Sequence, residues 1–257
     1  MAADILAAMN VTDLLQPQIL MLAPLIVYGA YVVFGISGFG STLIAVPLLA
    51  HLMPLKFVVP FFVILDCVGA TNLGLRLRGN LMKRELIGLM PFMALGIAGG
   101  VWLLVRLRPE LLLGSLGGFV LLFGIGYVLR SGRGLPLPRW SAAPIGTFGG
   151  ATSAVFGIGG PIYLFYLAGR GGDPAQIRAT MPVVFVFTTL TRILLFITAG
   201  LYSPAALAAA AALLPFMALG VWTGHRLHLN LERATVIRVI GGLLVLSGCS
   251  LLVRALA

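Results

Sequence analysis

Charge is the scarcest commodity in this sequence. Lys and Arg number 17 and Asp and Glu 7 among 257 residues, or 9% of the chain, where a soluble domain carries about 25%. No water-facing shell can be assembled around a core of this size from so few charged side chains, which excludes a soluble globular domain. Cysteine is nearly absent. Cys67 and Cys249 both lie in apolar runs and match no metal-ligand spacing, so they read as small core residues rather than a disulfide. There is no HExxH, no nucleophile elbow and no phosphate-binding loop, and no nucleophile–base or metal constellation. Enzymatic, cofactor and metal roles therefore have nothing to stand on. Residues 1–18 contain Asp4 and Asp13 but no Lys or Arg, so the positive region of a signal peptide is missing. Ala7, Leu14 and Leu15 fit a short interfacial helix ahead of a first membrane element that starts near Pro17 or Ile19. The formal charge of +10 is split among short loops, which argues against nucleic-acid binding.

What the chain does have is apolar sequence. Hydrophobic residues make up 60%, and mean hydropathy is +1.09. Ten apolar stretches stand out, at 19–34, 41–53, 57–75, 86–105 and 111–129, then 140–156, 161–168, 179–197, 205–224 and 234–253. A helical crossing needs about 20 residues, which the second and seventh stretches lack. The runs are solidly apolar rather than alternating, unlike barrel strands. The expected fold is all-α: a polytopic transmembrane helical bundle of roughly eight full crossings plus shorter segments, with the bilayer of the cytoplasmic membrane as its partner.

Positive charge sets the orientation. Arg76, Arg78, Lys83 and Arg84 fall in residues 74–85, and Arg130, Arg133 and Arg139 in the linker 130–139. Both should be cytoplasmic. The stretch 198–204 carries no charge and suits the other side, while His225, Arg226, His228 and Arg233 fall inside as a short basic loop. Asp4 and Asp13 then place the N-terminus outside. Arg106 and Arg108 land outside against the rule, offset in part by Glu110.

The chain also repeats itself. Leu89-Met-Pro-Phe-Met-Ala-Leu-Gly96 returns as Leu213-Leu-Pro-Phe-Met-Ala-Leu-Gly220, with seven of eight residues identical. Pro60 matches Pro182, and Gly38-Phe-Gly-Ser41 resembles Gly157-Ile-Gly-Gly160. The expected organisation is an N-terminal tail (1–18), a first membrane repeat (19–129), a basic linker (130–139) and a second repeat (140–257). Five segments per repeat is an odd number, so the halves should be inverted in the membrane, as in many secondary transporters.

Each repeat opens on a glycine-rich break. One runs from Phe34 to Thr42, and the other from Gly149 to Pro161. Glycines clustered this way interrupt a helix and bare backbone N–H groups, tolerable at membrane depth only beside protein or a polar cavity. Helix N-termini exposed there favour an anion. Residues 140–168 span only about 43 Å as helix, which suits two half-membrane helices better than two crossings. Packing notches between ordinary helices are the plainer reading of the same glycines. Pro47, Pro60, Pro91, Pro182 and Pro215 read as kinks or segment starts.

Two charges sit inside apolar segments, Asp66 in the third and Arg192 in the eighth. Each costs about 2.5–3.5 kcal/mol at a lone helix centre, so both should face the interior, water or one another. Arg192 can hold an oxyanion through paired donors. Asp66 either neutralises that arginine as a structural ion pair or takes up protons. Thr188 and Thr191 flank Arg192, with Thr71, Asn72, Tyr163 and Tyr166 as further polar groups. His51 falls near a segment end.

With these motifs the chain resembles the TauE/SafE family of sulfite exporters. That family carries a glycine-rich motif near the start of each of two repeats. Here the first is Gly38 to Ser41 leading to Pro47, and the second comprises Gly150, Ser153, Gly157, Gly159, Gly160 and Pro161. Ser41, Ala154 and the placement of Pro161 depart from the family pattern. The resemblance implies a transporter of small anions such as sulfite or organosulfonates. Substrate would be held between the halves by Gly38, Gly40, Ser41, Thr42, Ser153, Gly157, Gly159, Gly160, Thr188 and Arg192, with Asp66 for coupling. A non-transporting scaffold or accessory subunit is the alternative. The charge distribution generates a direct test by single-cysteine labelling in a background without Cys67 and Cys249. A cysteine at Gly132 should be labelled only from the cytoplasmic side, and labelling from outside would overturn the orientation.

Overall fold

The computed structural model describes residues 10, 12–37, 40–74, 81–129, 136–227 and 233–256. Among them the ordered structure is helical throughout. The helices are α1 (Pro17–Ser37), α2 (Ser41–Leu49), α3 (Leu55–Gly74), α4 (Lys83–Arg106) and α5 (Pro109–Leu129), followed by α6 (Ala142–Phe156), α7 (Gly160–Gly169), α8 (Pro174–Thr198), α9 (Pro204–Leu227) and α10 (Arg233–Leu256). Each coincides with one apolar stretch of the sequence. Four of them, α1, α4, α8 and α9, contain a run long and apolar enough to cross a membrane. Asp4, Ala7, Gly38, Arg76, Arg78, Arg130, Arg133 and His228 lie outside the described residues.

Local chemistry explains the boundaries. Helix α8 starts at a capping box, in which Asp173 accepts from the Gln176 N–H at 2.7 Å and Gln176 accepts from the Asp173 N–H at 3.3 Å. A 3-10 turn at Arg139–Ser141 precedes α6, so that helix begins two residues later than the apolar run. His225 belongs to the last turn of α9 rather than to a loop. The five prolines expected as kinks or starts all lie inside helices, where each removes one backbone hydrogen bond. Cys249 is exposed rather than in the core.

The bundle turns apolar side chains outward. Met21, Leu122 and Leu246 are each at least 70% exposed, and Leu95, Trp102, Leu194, Leu219 and Trp222 lie on the same outer surface. In water such a surface is unfavourable by about 25 cal/mol per Å²; against acyl chains that penalty vanishes. Polar groups go inward instead. Thr42, Ser153, Thr180, Thr188 and Arg192 are all buried.

Helix pairing crosses between the first five helices and the last five. Helix α4 packs on α6 as α9 packs on α1, α4 meets α8 as α9 meets α3, and α3 faces α8 as α5 faces α10. Small residues make these approaches possible. A methyl at Gly96 would strike the Thr147 carbonyl, and one at Gly220 the Tyr28 carbonyl. The two glycines that end the repeated octapeptide are among the close backbone approaches, with Gly100, Gly150 and Gly224 beside them, and no hydrophobic driving force is needed between helices in lipid.

Candidate functional site

The short helices α2 and α7 bring their N-termini to one cavity of about 40 Å³, more than the ~10–15 Å³ a single water needs. Helix α2 follows Gly40, whose φ of 96° lies in the left-handed region that glycine enters without a Cβ penalty. Helix α6 ends at Gly157, φ 76°. There the Gly157 N–H donates to Ser153 O at 2.9 Å, the single bond of an αL cap, and the Ile158 N–H donates to Thr152 O at 3.3 Å. The chain turns through Gly159 and restarts as α7 at Gly160. The first amides of a helix have no intrahelical acceptor, so both N-termini offer N–H groups and partial positive charge.

Of the residues singled out from the sequence, Gly40, Ser41, Thr42, Asp66, Ser153, Gly157, Gly159, Gly160, Thr188 and Arg192 all line this cavity. Gly38 lies outside the described residues. Thr191 does not line it; its hydroxyl donates to Phe187 O at 2.8 Å. The Thr71 and Asn72 side chains are likewise outside the described set.

Arg192 is 3% exposed, and its Nε and Nη2 find no hydrogen-bond partner among the described residues. These two nitrogens form one edge of the guanidinium, a pair of parallel donors matched to two oxygens of an oxyanion. Its other relief is modest. The Cζ sits 5.9 Å from the Phe196 ring centroid, a contact of about 0.5–2 kcal/mol. Leaving a buried donor unsatisfied costs about 1–3 kcal/mol, and more for a charged group. The residue is held ready for an acceptor.

Asp66 is not that acceptor. Its Oδ1 accepts from the Tyr31 hydroxyl at 3.0 Å and the Ser41 hydroxyl at 3.3 Å, and its Oδ2 from Thr42 at 3.0 Å. The ion pairs found among the described residues are Glu85 with Arg139 and with Arg170, and Asp66 with Arg192 is not among them. The carboxylate and guanidinium share a cavity without touching. Ser41 and Thr42 thus spend their hydroxyl protons on Asp66, and what α2 offers the cavity is backbone.

Several neighbours were not legible as site residues. Tyr31 is fully buried in α1, and its one sequence signal is a polar tip in an apolar run. Phe34, Phe185 and Thr189 complete the wall, together with Tyr163, noted in the sequence as a further polar group, whose hydroxyl has no partner among the described residues. Tyr166 belongs elsewhere, donating to Glu85 at 2.8 Å. Glu85 also receives Arg170 Nε at 3.0 Å, while Arg170 Nη1 reaches Leu137 O at 2.6 Å. This second cluster ties the C-terminus of α7 to the start of α4. Among the described residues no three His, Cys, Asp or Glu side chains gather as a metal site.

The model of the family described as sulfite exporter TauE/SafE matches residues 23–251. The chain is similar to the probable inner membrane transporter protein TsaS of Comamonas testosteroni, with 31% identity over 171 residues, 65% of this chain and 71% of that protein. It is also similar to the probable sulfite/organosulfonate exporter TauE of Cupriavidus necator, with 29% identity over 175 residues, 66% of this chain and 67% of that protein. No solved structure matches the chain.

Gly157 is where the cavity tolerates least change. A Cβ there would collide with the Thr42 methyl and lie 3.4 Å from Arg192 Nη2, on a left-handed backbone. Gly157→Ala should therefore lower stability by about 1–2 kcal/mol from backbone strain alone. Gly99→Ala, with open space around it, should be near neutral. Thermal unfolding of the two variants in detergent checks this, and equal midpoints would refute the close approach.

Proposed function

Because the chain belongs to the sulfite exporter TauE/SafE family, we propose that it is a secondary transporter that moves small oxyanions, sulfite or organosulfonates, across the cytoplasmic membrane, with Arg192 holding the anionic head. The observation that carries the reading is the buried Nε–Nη2 edge of Arg192, without a partner, in a cavity where two helix N-termini meet. Three sources of positive potential around one small space suit an anion. A sulfonate-like group has oxygens enough to meet the guanidinium and an amide N–H at once. The relatives' names, a probable sulfite/organosulfonate exporter and a probable inner membrane transporter, agree with that chemistry.

In this reading residues 19–129 and 140–257 are two inverted five-helix repeats joined by the cytoplasmic linker 130–139, and the tail 1–18 is extracytoplasmic. The short helices α2 and α7 enter from opposite faces as part-membrane segments that meet their neighbours at the glycine breaks, and α6–α7 forms a re-entrant pair. The matched pairing of helices across the halves and the repeated octapeptide support this arrangement. Two pseudo-equivalent halves around a fixed central site provide alternating access.

Substitution at Arg192 tests the reading. Arg192→Lys keeps the charge but loses the planar fork, and Arg192→Gln keeps only a polar amide. Both should insert and purify, with proteoliposome flux of sulfite or methanesulfonate falling at least about tenfold, equivalent to ~1.4 kcal/mol. The lysine variant should retain the weaker of two measurable affinities. Normal flux in Arg192→Gln, or in its combination with Asp66→Asn, would show that the arginine serves structure and not substrate.

A further inference from the structure

The cavity holds one group whose protonation would alter both its charge and its donors. Asp66 is half-buried and lines the cavity with Arg192, yet its bonds come from three neutral hydroxyls. The charged and titratable groups facing it from the packed helices are Arg192 of α8 and Tyr31 of α1; α2 contributes the hydroxyls of Ser41 and Thr42. With Asp66 ionised and Arg192 charged, the cavity is neutral overall. A monovalent anion on Arg192 leaves it at minus one, with the new charge beside a carboxylate in a medium of low dielectric. A proton on Asp66 restores neutrality.

The hydroxyls give that proton a second effect. An ionised carboxylate only accepts, whereas a protonated one donates through its O–H and accepts less strongly. Once Asp66 is neutral, the Ser41 and Thr42 hydroxyls at the N-terminus of α2 can rotate away from it. They then donate to an anion lying between α2 and Arg192. The same two hydroxyls serve the carboxylate when the cavity is empty and the anion when it is filled.

We infer that anion binding and protonation of Asp66 are linked events, one proton entering the cavity with each monovalent anion, with Ser41 and Thr42 as the donors that change partners. The inference rests on the placement of the anion at Arg192 and names what accompanies it. No covalent bond is made or broken except the O–H on Asp66, whose proton comes from solvent and returns there on release.

The test uses the purified full-length protein in detergent and methanesulfonate, an anion whose own charge is constant across the range. Affinity is measured by calorimetry between about pH 5 and about pH 9, and proton uptake on mixing is followed with an indicator dye in weak buffer. Affinity should rise as pH falls, by up to roughly tenfold per unit where one proton accompanies each anion, and uptake should approach one proton per anion bound. Asp66→Asn, which mimics the neutral acid, should bind with an affinity independent of pH and take up no proton. Wild-type affinity that is flat with pH, without proton uptake, would overturn the linkage while leaving the anion site intact. Absence of binding by wild type at every pH would instead overturn the site, and the linkage with it. Unchanged pH dependence in Asp66→Asn would assign the proton to another group and contradict the inference.

Discussion

A guanidinium held 3% exposed within an apolar helix has to be answered by negative charge, by acceptors, or by both. Arg192 is answered by neither in full. The carboxylate that shares its cavity, Asp66, is taken up by Tyr31, Ser41 and Thr42, and two of the guanidinium nitrogens have no partner among the described residues. Stranding part of a buried charge is costly, and a bundle built only for stability would close the gap between the two residues or replace both with apolar groups. The rest of the architecture keeps that gap open. Glycines at 40 and 157 let the backbone turn where α2 begins and α6 ends, and close packing at Gly96 and Gly220 fixes α6 and α1 against α4 and α9.

The cavity follows from this constraint. Two helix N-termini add partial positive charge to Arg192, and Asp66 offsets some of it through space without quenching the donors. The result is a small chamber where a few charged and polar groups converge among apolar walls, inside a body whose outer surface is hydrocarbon. Transport needs a site that is favourable to enter and not so favourable that nothing leaves. In the proposed reading, a carboxylate set beside the anion and held by hydroxyls that change partners meets that requirement better than a bare arginine would.

Much of this was legible in the sequence, for physical reasons. Apolar runs and their lengths report membrane helices directly, so all ten elements appear, including α2 and α7, too short to cross. Charges at membrane depth are expensive enough that Asp66 and Arg192 announce themselves, and the glycine runs mark where the helices stop. Side-chain partnership was less visible. Which face of α1 meets α3 depends on helix rotation set by packing, so Tyr31 gave no sign that it would hold Asp66. The sequence left open an Asp66–Arg192 ion pair because two opposite charges on matching segments admit it; three local hydroxyls compete for the carboxylate instead. The pairing of Glu85 with Arg170 gave no sign in the sequence, since it depends on where the C-terminus of α7 returns. Cys249, in an apolar run, was assigned to the core, but in a membrane protein an apolar side chain is as well placed facing lipid.

The most direct test of the central claim is to see an oxyanion on Arg192. A crystal structure of the protein with selenate, phased on the anomalous signal of selenium, locates the ion without reference to activity. The account places the selenium in the cavity between α2 and α7, with oxygens at about 2.7–2.9 Å from Arg192 Nε and Nη2, the range of charge-assisted hydrogen bonds. Arg192 turned onto Asp66, with the cavity empty of selenium at saturating selenate, would contradict it.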